Sequence, residues 1–157
     1  MENDLLQFIN PQQKQKSQEK RHQRYTDRYS EKKDAPYELI LQTKWEDFTK
    51  YVYEVVLRDI PKSERGGLGK DIRDRIWHVE ALIVELGLKH GIDLTILNKI
   101  DIRVKVLTRM LMFATEIMIN KEQSIALIPK KRREPMSGML VEIGRIIGGL
   151  KRSKNVY

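Results

Sequence analysis

The chain has 157 residues, enough for one domain with a sizeable core, and carries a net charge of +8 from 30 Lys/Arg against 22 Asp/Glu. It contains no cysteine, which excludes disulfides and thiolate metal sites and makes a reducing cytoplasm the simplest setting. Nowhere do about 18 apolar residues run together, and Leu5, Leu6, Phe8 and Ile9 stop at Pro11, too short for a signal peptide's apolar region; a soluble, unexported protein with no membrane partner is expected.

The charge is unevenly placed. Residues 1–36 carry eight Lys/Arg and six Asp/Glu, residues 37–128 carry fourteen of each, and residues 129–157 carry eight against two. An excess gathered in the last fifth of the chain points to a polyanionic partner, nucleic acid first among them.

Residues 10–36 are rich in Gln, Lys and Arg and poor in apolar groups, so they cannot offset the entropy of ordering, and residues 1–36 read as a flexible arm. Within it Arg24, Tyr25, Arg28 and Tyr29, beside His22, interleave cations with aromatic rings, a pattern suited to stacking on unpaired bases. The alternatives are a solvated linker or an arm that docks on another protein.

Ala35 and Pro36 open a first helix, where proline's missing donor costs nothing. Leu41, Trp45, Phe48, Val52 and Val55 line one face to about Arg58, with Tyr37, Tyr51 and Tyr53 at its rim, and Ile60-Pro61 stops it. Pro61 to Gly67 make a turn, and Ile72, Ile76, Val79, Ile83 and Leu86 mark a second helix started by Ser63 or the glycines and closed by Lys89, His90 and Gly91.

Asp93 caps a third helix, expected to run to Asn120, with Leu97, Ile100, Val104, Leu107, Leu111, Ala114 and Met118 along one face. At about 100° per residue, Ile102, Val106, Met110, Phe113 and Ile117 fall nearly opposite. A helix apolar on two sides needs two partners; this chain supplies one, so the second stripe is the expected oligomer interface. Ile125 to Ile128 are expected to tuck under the bundle end. Lys130, Lys131, Arg132 and Arg133 then lead into a last helix with the stripe Leu140, Ile143, Ile147 and Leu150. Arg145, Lys151, Arg152 and Lys154 decorate it, and with the basic run they form the candidate nucleic-acid-binding set. Gly144, Gly148 and Gly149 are placed to admit another backbone, the alternative being that Gly148 and Gly149 fray the helix end. Short connections make successive helices antiparallel. The expected fold is therefore all-α: an up-down-up-down four-helix bundle over residues 37–152, with a tail at 153–157.

Catalytic readings fail on inspection. Gly67-Leu68-Gly69-Lys70 lacks the earlier glycine of a phosphate loop, where Glu64 stands, and Asp71 replaces the hydroxyl that would hold magnesium. A di-iron bundle requires two Glu-x-x-His pairs, but only His22 follows a Glu by three residues, at Glu19, while Arg75 and Gly87 stand three before His78 and His90; His78 beside Trp77 reads as an interior or rim histidine. No catalytic residue, metal site or cofactor is expected.

Two passages resemble known proteins. Ile60-Pro61-Lys62-Ser63-Glu64-Arg65-Gly66-Gly67-Leu68-Gly69-Lys70-Asp71-Ile72 is similar to the first turn and second-helix start of the four-helix-bundle family that includes the ribosomal RNA intervening-sequence proteins. Val141-Glu142-Ile143-Gly144-Arg145-Ile146-Ile147-Gly148-Gly149-Leu150 resembles the last helix of one branch, the accessory variability determinant proteins of diversity-generating retroelements. The likeness spans about residues 37–152. It implies a basic homopentamer that binds the template RNA and cDNA and associates with a reverse transcriptase in mutagenic cDNA synthesis. A protein-interaction adaptor without nucleic-acid binding is the alternative, and peripheral membrane association is disfavoured because the last helix's apolar stripe is needed for the core.

Overall fold

The computed structural model describes residues 37–154. Helix α1, Tyr37–Tyr51, widens into a π-helical turn, Val52–Val56, and closes as Leu57–Asp59. Helix α2 is Leu68–Gly87, α3 is Leu94–Ala114 and α4 is Arg133–Lys154; between α3 and α4 the strands β1, Met118–Asn120, and β2, Ile125–Ala126, pair antiparallel. Each helix packs on two others, in the cyclic order α1, α2, α3, α4. Contacts between early and late residues fix the antiparallel sense: Arg132 before α4 meets Asp59 at the end of α1, and Asp101 early in α3 meets Lys151 late in α4. This is the up-down-up-down four-helix bundle that the apolar spacing predicts.

The core is made of the expected stripes. Leu41, Trp45, Phe48 and Val52 of the first helix, Ile72, Ile76, Val79, Ile83 and Leu86 of α2, Leu97, Ile100, Val104, Leu107, Leu111 and Ala114 of α3, and Leu140, Ile143, Ile147 and Leu150 of α4 are all buried. One position differs. Val56, not Val55, continues the first stripe, followed by Ile60. The π turn takes an extra residue per turn, so steps of four from Val52 stay on one face instead of drifting around an ideal helix.

The connections explain where the helices stop. Arg65 in the first turn donates from Nε to the Ile60 carbonyl at 3.1 Å and from Nη2 to the Arg58 carbonyl at 3.2 Å, satisfying acceptors at the end of the first helix. Gly67 is the N-cap of α2, so the glycine alternative for its start holds, and Gly91, at φ +88°, makes the turn before α3. Asp93 Oδ1 accepts from the Thr95 and Ile96 amides at 2.9 and 3.2 Å, the capping that the sequence predicts.

Helix α3 ends at Ala114, short of the expected Asn120. Thr115 is fully buried and turns its hydroxyl back to the Met112 carbonyl at 2.6 Å, while the chain returns through the β hairpin so that the Ile128 amide donates to the Ala114 carbonyl at 2.9 Å. That remote amide caps α3, and Met118 becomes a strand residue instead of the end of the seam. Of the segment expected under the bundle, Ala126 and Ile128 are buried, Leu127 is half-buried and Ile125 is exposed.

Candidate nucleic-acid interface

Helix α4 and the turn before it carry the candidate cations. Lys130, Lys131 and Arg132 form a 3-10 turn leading directly into Arg133, so four positive side chains surround the start of a helix, where the dipole is already positive. Two carboxylates relieve that cost. Arg132 Nε pairs with Asp59 at 2.6 Å, and Arg133 Nη1 pairs with Glu116 at 2.6 Å while also donating to the Thr115 hydroxyl at 3.2 Å. The hydrogen bond to Asp59 raises the pKa of Arg132, so the guanidinium stays charged.

At the far end Lys151 turns sideways to Asp101 of α3 at 2.5 Å, and Lys105 meets the same carboxylate at 3.0 Å. Burial works to raise the Asp101 carboxyl, but the hydrogen bonds from Lys151 and Lys105 outweigh it and hold it below the usual carboxylate range. Arg132, Arg133 and Lys151 are therefore paired to carboxylates of the bundle, Arg133 while itself exposed, and Lys130, Lys131, Arg145, Arg152 and Lys154 are exposed as well.

The α4 core residues fix which way the rest of the helix points. With Met136, Leu140, Ile143 and Ile147 inward, a step of 100° per residue places Gly138, Val141, Arg145, Gly148 and Arg152 on the outward line. A Cβ added at Gly138 or Gly144 would meet nothing within 4 Å, and one at Gly148 only the Arg152 guanidinium at 3.7 Å. The glycines do not serve packing inside this chain, nor do they fray the helix, which continues to Lys154 and so takes Ser153 and Lys154 beyond the expected boundary at 152. Of the two acids of α4, Glu142 flanks this line and is tied to Lys44 of α1 at 3.0 Å, while Glu134 sits on the line at its amino-terminal end, exposed beside Lys130 and Arg133. The result is an open, low-relief surface carrying Arg145 and Arg152, with Lys130 and Lys131 exposed at the amino-terminal end of the same helix.

The predicted interface residues on the third helix separate. Ile102, Val106 and Phe113 are exposed on α3 and Met110 is half-buried, while Ile117 lies beyond the helix end, exposed in the turn before β1. The sequence reading missed a second basic group beside them. Arg75 of α2 and Lys99 and Arg103 of α3 line one shallow groove with Ile102 and Val106, although residues 37–128 are neutral as a whole. Regional charge counts hide this; the positions of 99, 102, 103 and 106 on one helix side would have revealed part of it.

His78 is exposed, so of the interior and rim alternatives the interior one fails: Ile76 and Val79 take the core positions beside it. Among the described residues no group of three or more His, Asp or Glu is placed to hold a metal, and no helix is long and apolar enough to cross a membrane. Arg24, Tyr25, Arg28 and Tyr29 lie outside the described residues.

Comparison with curated proteins and with solved structures finds no match. A family model described as bAvd-like matches residues 39–154, the four-helix bundle from the start of α1 to the end of α4. The chain therefore belongs to the bAvd-like family, the accessory variability determinant proteins of diversity-generating retroelements.

Proposed function

We propose that this protein is a non-catalytic accessory subunit that oligomerises through α3, binds nucleic acid along α4, and joins a reverse transcriptase with its template RNA and cDNA to support mutagenic cDNA synthesis. The observation that carries the nucleic-acid reading is the outward face of α4, where Arg145 and Arg152 project among glycines and the neighbouring acids Glu142, Asp59 and Glu116 are tied to cations of the bundle, with Glu134 the acid on the face itself. Such side chains meet phosphates without reading bases, so RNA and single-stranded DNA both suit the surface. Helix α4 has 22 residues and so is about 33 Å long, the length of roughly ten base steps at 3.4 Å each.

Lys130, Lys131, Arg145 and Arg152 are the primary contacts in this reading. Arg132 and Arg133 contribute only when phosphate displaces Asp59 and Glu116, and Lys151 shapes the end of the surface through Asp101. Four phosphate contacts on a single strand give a slope near −3 in log affinity against log salt, at about 0.7 per contact. Reversing Lys130, Lys131, Arg145 and Arg152 to glutamate is expected to abolish RNA binding while the far-ultraviolet circular dichroism stays helical. Unchanged binding by the folded variant would overturn the α4 surface. A folded wild-type protein that ignores RNA at low salt would favour the adaptor reading instead.

A further inference from the structure

The hairpin between α3 and α4 turns an apolar face outward. Met118 pairs with Ala126 across β1 and β2, and this pair lies toward the bundle, with Ala126 buried and Met118 half-buried. Side chains alternate along a strand, so Ile117, Ile119 and Ile125, each next to one member of that pair, take the opposite face. They are 53, 46 and 43% exposed. The core does not need them, because Ala126 and Ile128 already close it beneath the hairpin. The solvent face of an antiparallel pair is ordinarily polar, and apolar groups gathered there mark a contact surface.

The hairpin and the basic turn share a hollow. Ser124, Ile125 and Ala126 line it from one side and Pro129, Lys130 and Lys131 from the other, enclosing about 400 Å3. That volume is in the range of small-molecule sites, roughly 300 to 1,000 Å3. Its apolar lining is Ile125, Ala126 and Pro129, no acid lines it, and neither lysine pairs with a carboxylate among the described residues. Lys130 also lines the next hollow, with Arg133, Glu134, Ser137 and Gly138, and Gly138 begins the outward line of α4. A strand whose phosphates follow α4 therefore reaches two unpaired cations set beside an apolar wall. The group next to a phosphate in such a strand is a base, whose flat apolar face is free when the strand is single and stacked away when it is paired.

We infer that this hollow takes an unpaired nucleobase, the base lying against Ile125 and Pro129 while the phosphates on either side of it meet Lys130 and Lys131. The inference rests on the proposed phosphate contacts along α4 and adds one that only a single strand makes. Phosphate contacts by themselves carry no information about the bases. Packing a base face on aliphatic side chains is tolerant of sequence, since every base has such a face, so the site selects unpaired strands without selecting a sequence.

Two single-stranded DNA probes of equal length test this, one carrying all its bases and one abasic at every position, so that the phosphates are the same. In fluorescence anisotropy with the full-length chain, the base-bearing strand is expected to bind about tenfold more tightly, the scale of one buried apolar contact. Both strands should show the same salt slope, because the phosphates contacted do not change. Ile125→Thr keeps the β-branched shape that suits a strand and is expected to lose most of that preference by weakening only the base-bearing probe. Equal affinity of the wild type for the two probes would overturn the base site, leave the α4 phosphate surface standing and make an acidic apolar peptide the better occupant. Failure to bind either probe would overturn both. A preference that survives in Ile125→Thr would put the base contact elsewhere and overturn the hollow. If that variant loses its helical circular dichroism, photocrosslinking of the wild type to RNA containing 4-thiouridine replaces it: adducts within residues 124–131 support the hollow, and adducts confined to other segments refute it.

Discussion

In the proposed nucleic-acid reading, Asp59 and Glu116 decide how many of the basic side chains meet phosphate. Each holds one arginine of the run before α4, so phosphate must compete with a carboxylate at Arg132 and Arg133 but not at Lys130 and Lys131. Asp59→Asn is therefore expected to raise RNA affinity by roughly two- to fivefold at fixed salt, the scale of one partly exposed ion pair, and fluorescence anisotropy would read it. A loss of affinity would mean that Asp59 serves the site by positioning Arg132. Asp101 has a different consequence. Its folded-state pKa is depressed, so the stability it contributes is present above the unfolded carboxylate value and is lost as pH falls through the lower folded value. Thermal unfolding of Asp101→Asn should accordingly lose part of the wild type's acid sensitivity; an identical pH profile would contradict the role given to Lys151 and Lys105. The sequence lists the cations but not their partners, because Asp59 lies 73 residues from Arg132 and Asp101 lies 50 from Lys151. Val56 replaced Val55 for a similar reason, since periodicity assumes an ideal helix and the π turn is not one.

At the level of elements, all four helices and their inward faces were legible because each repeats its apolar residues over several turns. The carboxyl end of α3 was not. Ile117 and Met118 keep the helical spacing, yet a buried threonine and the amide of Ile128 supply a better termination than a further helical turn. Both depend on a contact that local pattern cannot show. The hairpin is equally hidden: Ser124 takes φ +53° and Asn120 Oδ1 accepts from the Gln123 amide at 3.1 Å, a turn held by short-range bonds within a polar segment. The glycines of α4 yield a prediction at this scale. Gly144→Ala meets open space, so it should stabilise the chain by roughly 1 kcal/mol in a urea titration, the ordinary gain of alanine within a helix. Destabilisation would show that another chain lies against that glycine in the assembled protein.

For the whole molecule, the resemblance read over residues 37–152 and the family match over residues 39–154 coincide on the bundle. The family was legible mainly because the closing run, Val141 to Leu150, combines core positions with outward glycines and Arg145, a pattern that packing alone does not require. The candidate site was legible only in part. Its cations were identified, but their division into bundle clamps and outward groups, and the basic groove of Arg75, Lys99 and Arg103, emerged from the fold. The apolar stripe left bare on α3 and the cationic face of α4 are what the proposed association and nucleic-acid binding rest on. Sedimentation velocity of the purified full-length chain with labelled single-stranded RNA, at low and at high salt, tests both most directly. The account predicts a species larger than one subunit that carries the RNA with it at low salt and releases it, still assembled, at high salt; a single subunit that leaves the RNA behind in dilute buffer would contradict it.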